Sequence, residues 1–172
     1  MAWDHEQRVI ARSAFLALLI AAITLTSTSQ LAGREADALD ARLALAATAF
    51  APLALSLFLD IARLARHRFA EPLDRNAAAT TSVTAKADML NAILRNTHEQ
   101  VSFAALVYAI AALMLPSHWT DAVVGCPALF LIGRIVFATG YAKGAGGRAF
   151  GFALTFYPSV MLAILTAITA AT

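Results

Sequence analysis

Apolar and polar positions in this chain come in long blocks rather than in the single alternation of a strand. Residues 14–25 are apolar and grade into the small polar run Thr26–Ser29. Apolar blocks return over residues 43–64, from about residue 87 to 115, over 123–141 and over 150–171. Each block, with its flanks, is close to the roughly 20 residues a helix needs to cross a bilayer, so the pattern predicts five membrane-spanning helices. Pro52 interrupts the second, and Pro158 predicts a bend in the fifth, because proline removes a helical hydrogen bond. Polar connections separate the blocks. Residues 32–42 hold Gly33, Glu35, Asp37 and Asp40; residues 69–86 form the longest, with Pro72 and the alanine/threonine run 77–81. Helix is expected to restart near residues 84–87 and to end at Pro116, Ser117 and His118. Residues 142–149, glycine-rich and basic, predict a tight turn before a last helix beginning at Phe150. Asp60 and Arg63, three apart, are spaced to pair at the end of the second span. No fixed-period repeat is present.

Composition strengthens this reading. Of 172 residues, 60% are hydrophobic and 14% charged, against about 25% charged in soluble domains; the chain reads as an all-α integral membrane protein embedded in a lipid bilayer. A formal net charge of +2 gives no reason to expect nucleic acid. Cys126 is the single cysteine, which excludes an intrachain disulfide and a thiolate metal site. His5, His67, His98 and His118 are scattered and no metal is expected. Gly144–Gly147 follows no strand, so it is no dinucleotide fingerprint. A cleaved signal peptide is the alternative to a first span, with Ser27 and Ser29 suiting cleavage; Asp4, Glu6 and the lack of a clean A-x-A site favour a retained helix. The basic residues fall mainly in the second connection (Arg63, Arg66, Arg68, Arg75, Lys86, Arg95) and the fourth (Lys143, Arg148). Positive-inside then puts both in the cytoplasm and the C-terminus outside. Alanine-rich usage points to a bacterial inner membrane.

The chemistry concentrates in residues 94–103, L-R-N-T-H-E-Q-V-S-F. A charge or amide at membrane depth costs several kcal/mol unless it is satisfied, which makes such residues functional candidates. On a helix, Ala92, Asn96, Glu99 and Phe103 share one face, with Asn91, Arg95, His98 and Ser102 beside it. Arg134, Phe137 and Tyr141 share a face of the fourth span, and Arg148 follows. These residues suit a pocket for a small polar anion, since arginine grips carboxylates bidentately. They suit equally well a set of polar contacts that only tie helices together.

The order of three segments, R-N-T-H-E-Q (residues 95–100), G-R-I-V-F-A-T-G-Y (133–141) and G-G-R-A-F-G-F (147–152), resembles the MAPEG family, membrane-associated proteins of eicosanoid and glutathione metabolism. The similarity spans about residues 43–171. It implies a left-handed four-helix membrane bundle assembled as a homotrimer, with glutathione held between neighbouring subunits near the cytoplasmic face. The chain then divides into an additional N-terminal helix with its connection (1–42) and a MAPEG-like four-helix domain (43–172). By the resemblance, Asn96 and Glu99 match the family's N-x-x-E glutathione pair, Tyr141 a further glutathione contact, and Arg148 the arginine near the thiol. Arg63, Arg66 or Arg68 stands for an arginine late in the family's first helix. Three positions depart from the family pattern: Gln100 follows the glutamate where some members have tyrosine, Ala92 replaces an arginine four residues before the asparagine, leaving Arg95 as the nearest cation, and Phe137 replaces a tyrosine of eicosanoid-forming members.

The expectation is a glutathione-dependent transferase or peroxidase acting on small hydrophobic electrophiles or lipid hydroperoxides. Arg148 would be catalytic and Asn96, Glu99, Tyr141, Arg95 and Arg134 would bind the glutathione co-substrate. A non-enzymatic scaffold or regulator with the same bundle is the alternative that Ala92 and Phe137 favour. A small transporter is a third, weakened by the lack of paired broken half-helices.

Overall fold

The computed structural model describes residues 3–30, 38–75 and 82–171. Of the two connections expected above, residues 32–37 of the first (32–42) and the alanine/threonine run 77–81 of the second (69–86) lie outside them, while helix already covers 39–42, 69–70, 72–75 and 85–86. The described residues form α1 (His5–Gln30), α2 (Leu39–Ala70), the single turn α3 (Pro72–Arg75), α4 (Ala85–Met114), α5 (Thr120–Gly140) and α6 (Gly144–Ala171). Among them there is no strand and no cis peptide. Three helical stretches are long and apolar enough to cross a membrane: His5–Ser29, Leu39–Ala70 and Ser117–Ala171, the last containing both α5 and α6. The third expected span, α4, is not among these stretches; Arg95, His98 and Glu99 fall near its middle.

The apolar stripe of α2 explains how it packs. Leu45, Ala49, Leu53, Ser56, Asp60 and Leu64 are buried, at spacings of three and four that define one helix face. That face meets Ala104, Val107, Tyr108 and Ala111 of α4, and Val123, Cys126 and Phe130 of α5. Two clasps close the antiparallel α2–α4 pair. At one end Arg42 Nη1 donates to the carbonyls of Leu113 and Leu115, both at 2.9 Å. A cation thereby satisfies orphan acceptors at the helix C-terminus, where the dipole favours positive charge. At the other end buried Asp74 accepts from Val83 N (2.8 Å), Thr84 N (3.2 Å) and the Thr84 hydroxyl, and meets His67 Nε2 at 3.0 Å. Thr84 in turn caps α4 by accepting from Ala87 N at 3.2 Å.

The α5–α6 hairpin is tighter than the sequence pattern predicts. The expected turn at 142–149 shrinks to Tyr141–Lys143, and α6 starts at Gly144 rather than Phe150. Among the described residues only Gly144, at φ +81°, uses the left-handed region. The other glycines serve close approach. A Cβ on Gly140 would strike the Gly147 carbonyl, and one on Gly151 would strike the Phe137 backbone. The glycine-rich run therefore lies inside a helix, as small residues do at membrane helix contacts. Neither proline ends its helix: α2 continues through Pro52 and α6 through Pro158.

Two outcomes test this scheme. Gly151→Leu forces α5 and α6 apart and is expected to cost about 3 kcal/mol, read as a loss of thermal stability in detergent; an unchanged midpoint would refute the close-approach argument. Asp74→Asn removes a carboxylate that the Thr84 hydroxyl, and then the Val83 and Thr84 amides, hold well below its ordinary value despite burial. Because the native carboxyl titrates below the unfolded one, its contribution is complete above about pH 4 and fades as the pH falls further. Thermal melts at pH 7 should show the variant destabilised, and melts of the wild type from pH 4 downward should show progressive loss.

Candidate functional site

Arg134 sits in the C-terminal half of α5 at 2% exposure. Its guanidinium reaches α4 twice, with Nη1 donating to Asn96 Oδ1 at 2.9 Å and Nη2 to Thr97 Oγ1 at 2.6 Å. Thr97 is fully buried and its hydroxyl donates to Asp60 Oδ2 of α2 at 2.6 Å, with the Ile93 carbonyl at 3.0 Å. The expected Asp60–Arg63 pair is present at 3.1 Å. Three helices are thus joined by a relay in which a hydroxyl couples a buried acid to a buried cation. Arg134 also lies over the Phe137 ring, 4.1 Å from its centroid, a favourable cation–π placement.

A cleft of about 560 Å³ opens on the other side of this relay. Asn96, Tyr141 and Arg148 form its polar corner, and Phe137, Phe152 and Phe156 its apolar wall. The Arg148 guanidinium lies over the Tyr141 ring, 4.5 Å from the centroid. Tyr141 meets Phe137 edge-on at 5.3 Å, and Phe152 and Phe156 stack at 5.8 Å. The tight corner between α5 and α6 is what places Tyr141 beside Arg148.

The site residues named from the sequence separate into three groups. Asn96, Tyr141 and Arg148 come together in the cleft. Arg134 does not line it but lies behind, engaged with Asn96 and Thr97. Arg95 and Glu99 are exposed on α4, outside the cleft. The acid that joins the buried polar cluster is therefore Asp60, not Glu99. Sequence reasoning gave Asp60 only its interfacial partner Arg63 and passed over Thr97. The signal was present: Asp60 falls on the stripe that also carries Leu53, Ser56 and Leu64, so it had to face inward. No group of three or more metal-ligating side chains occurs among the described residues.

This arrangement defines a multi-pass, all-α integral membrane protein with a half-polar, half-aromatic cleft between its helices. The model of the MAPEG family matches residues 42–168, and the chain belongs to that family. Neither the curated proteins nor the solved structures supply a further match. The matched segment contains α3 to α5 and nearly all of α2 and α6, and leaves α1 outside.

A double-mutant cycle tests the relay. Asp60→Leu leaves the Arg134 cation without its acid and is expected to cost about 3 kcal/mol, as is Arg134→Met. The double variant should cost clearly less than the sum, measured by thermal unfolding in one detergent. Strict additivity would show that the two charges do not sense each other through Thr97.

Proposed function

We propose that this protein is a membrane-bound, glutathione-dependent transferase or peroxidase acting on hydrophobic electrophiles or lipid hydroperoxides. The observation that carries the proposal is the convergence of Asn96 from α4, Tyr141 from the α5–α6 turn and Arg148 from α6 on one cleft with an aromatic wall. Membership of the MAPEG family supports a glutathione-related activity in general.

The chemistry follows from charge and solvation. Glutathione's polar groups take the corner near Asn96 and Tyr141, and its thiol lies near Arg148. A guanidinium beside a thiol stabilises the thiolate and lowers the thiol pKa, and the thiolate is the nucleophile. In the transferase reaction its sulfur forms a bond to the electrophilic carbon and the leaving group departs with the bonding pair. The apolar wall receives the hydrophobic reactant from the lipid side. Glu99 and Arg95, exposed on α4, complete the glutathione contacts across a subunit boundary in a homotrimer. The protein sits in a bacterial inner membrane with its C-terminus outside, as the placement of lysine and arginine favours.

A scaffold without thiol chemistry is the second reading, favoured because Arg134 already occupies the Asn96 amide oxygen. Calorimetry on purified protein separates the two. Wild type should bind glutathione in the millimolar range or tighter, and Glu99→Gln should weaken binding about tenfold. Arg148→Ala should lower kcat/KM about 10²-fold near pH 7, comparable with removing one preorganised donor. Its deficit should shrink as the pH rises toward about 9, where an unassisted thiol ionises by itself. No binding by wild type would move the assignment to the scaffold, and full activity in Arg148→Ala would remove that residue from the chemistry.

A further inference from the structure

The helix outside the family match, α1, lies along the cleft. Its start is fixed by a reciprocal capping pair in which Gln7 N donates to Asp4 Oδ1 at 2.8 Å and Asp4 N to Gln7 Oε1 at 3.0 Å. From there it docks on the α5–α6 hairpin through small residues. A Cβ on Gly146 would lie 3.2 Å from Val9 Cγ1, and one on Gly125 would lie 2.9 Å from Thr28 Cγ2. Ala17 is fully buried against Ala153 and Leu154 of α6. The face turned away, with Phe15, Leu16 and Leu19, is exposed as a lipid-facing surface is. Between the docked ends, Ile10 and Ala14 line the cleft opposite Phe152, Phe156 and Tyr157.

We propose that α1 is the selectivity wall of the cleft, with Ala14 setting the size of the hydrophobic reactant and admitting planar aromatic molecules of about two rings. Alanine is the smallest side chain that keeps the helix, so the space beside it is left to the ligand. The facing surface is made of rings, which favour stacked or edge-on aromatic partners over flexible chains. Phe156 stands eight residues beyond Arg148, about 12 Å deeper along the helix. A reactant held between Ala14 and the rings thus has its reactive end toward Arg148. The identity of the second reactant rests on the glutathione reading; the aromatic chamber does not.

The test uses the full chain in lipid nanodiscs and biphenyl as the probe. Cys126 is buried, so Ala14→Cys and Phe15→Cys each carry one reactive thiol at nearly the same depth, about 100° apart around α1, the first lining the cleft and the second on the exposed face. Biphenyl should slow N-ethylmaleimide labelling at least fivefold at position 14 and less than twofold at position 15. In Ala149→Cys, a second cleft reporter, added Ala14→Trp should abolish the protection. Ala14→Trp should also lower kcat/KM for two-ring electrophiles at least tenfold relative to one-ring analogues, with glutathione affinity within twofold of wild type. Equal protection at positions 14 and 15, or an unchanged size profile in Ala14→Trp, would overturn the proposal. Protection without any glutathione binding would keep the aromatic chamber and remove the thiol chemistry, so the two readings fail separately.

Discussion

The bundle depends on partnering one guanidinium, whose Nη1 and Nη2 are hydrogen-bonded while its buried Nε is not. Arg134 lies within a helix whose other buried neighbours are Phe130, Gly133 and Phe137, in a chain that lives in lipid. An ion there persists only with partners. The solution recruits an amide and a hydroxyl from α4 and, through that hydroxyl, a carboxylate from α2. Coulombic attraction in a poorly screened interior is long-ranged enough for Asp60 to act without touching Arg134. The result fixes the rotation of three helices about their axes at once, because a turn of any one by a residue would break its link.

That rotation is what the cleft needs. Asn96 faces the cleft on one side of α4 while its neighbour Thr97 faces α2 and Arg134. Phe137, one turn from Arg134, is held with its ring under the guanidinium and its edge against Tyr141. Tyr141 then meets Arg148 through its own ring. A ladder of cation, ring, ring and cation runs from the structural arginine to the one that faces the cavity. Phenylalanine is the natural occupant at 137, since a ring packed between a guanidinium and two aromatic neighbours at 3% exposure leaves little room for a hydroxyl and its partner.

Much of this was legible in the sequence, and the reason is dimensional. Bilayer thickness makes most of the long helices announce themselves as apolar blocks, α4 falling short of that measure. The asparagine of N-x-x-E, the G-Y tyrosine and the arginine of the basic-glycine run mark the cleft corner, while Glu99 stays outside it. Asn96, Tyr141 and Arg148 were identified from those motifs and do converge. The boundaries of α6 were less legible, because Gly144, Gly146 and Gly147 read locally as a turn and become helical only when α5 and α1 lie close enough to require the absence of a Cβ. Arg134 looked like a ligand contact because sequence shows which residues are polar but not which polar residues use up one another. Thr97 was passed over for the same reason: a lone threonine in an apolar helix is unremarkable until an acid and a cation arrive on either side of it.

The two arginines therefore divide the work by what else is within reach. Arg134 has two of its nitrogens committed to α4 and a ring beneath it, so releasing it to a ligand would leave Asn96 and Thr97 short of a donor in a dry interior. Arg148, among the described residues, stacks on Tyr141 but carries no ion pair, and it opens on the cavity. A cation that is positioned by a ring but not neutralised keeps its full attraction for an incoming anion. The ring also orients it without a ligand, the preorganisation on which the proposed thiolate chemistry would rely. The buried charge and the cleft-lining charge thus sit on adjacent helices of one hairpin, the first held by side chains of α4 and the second by the ring of Tyr141.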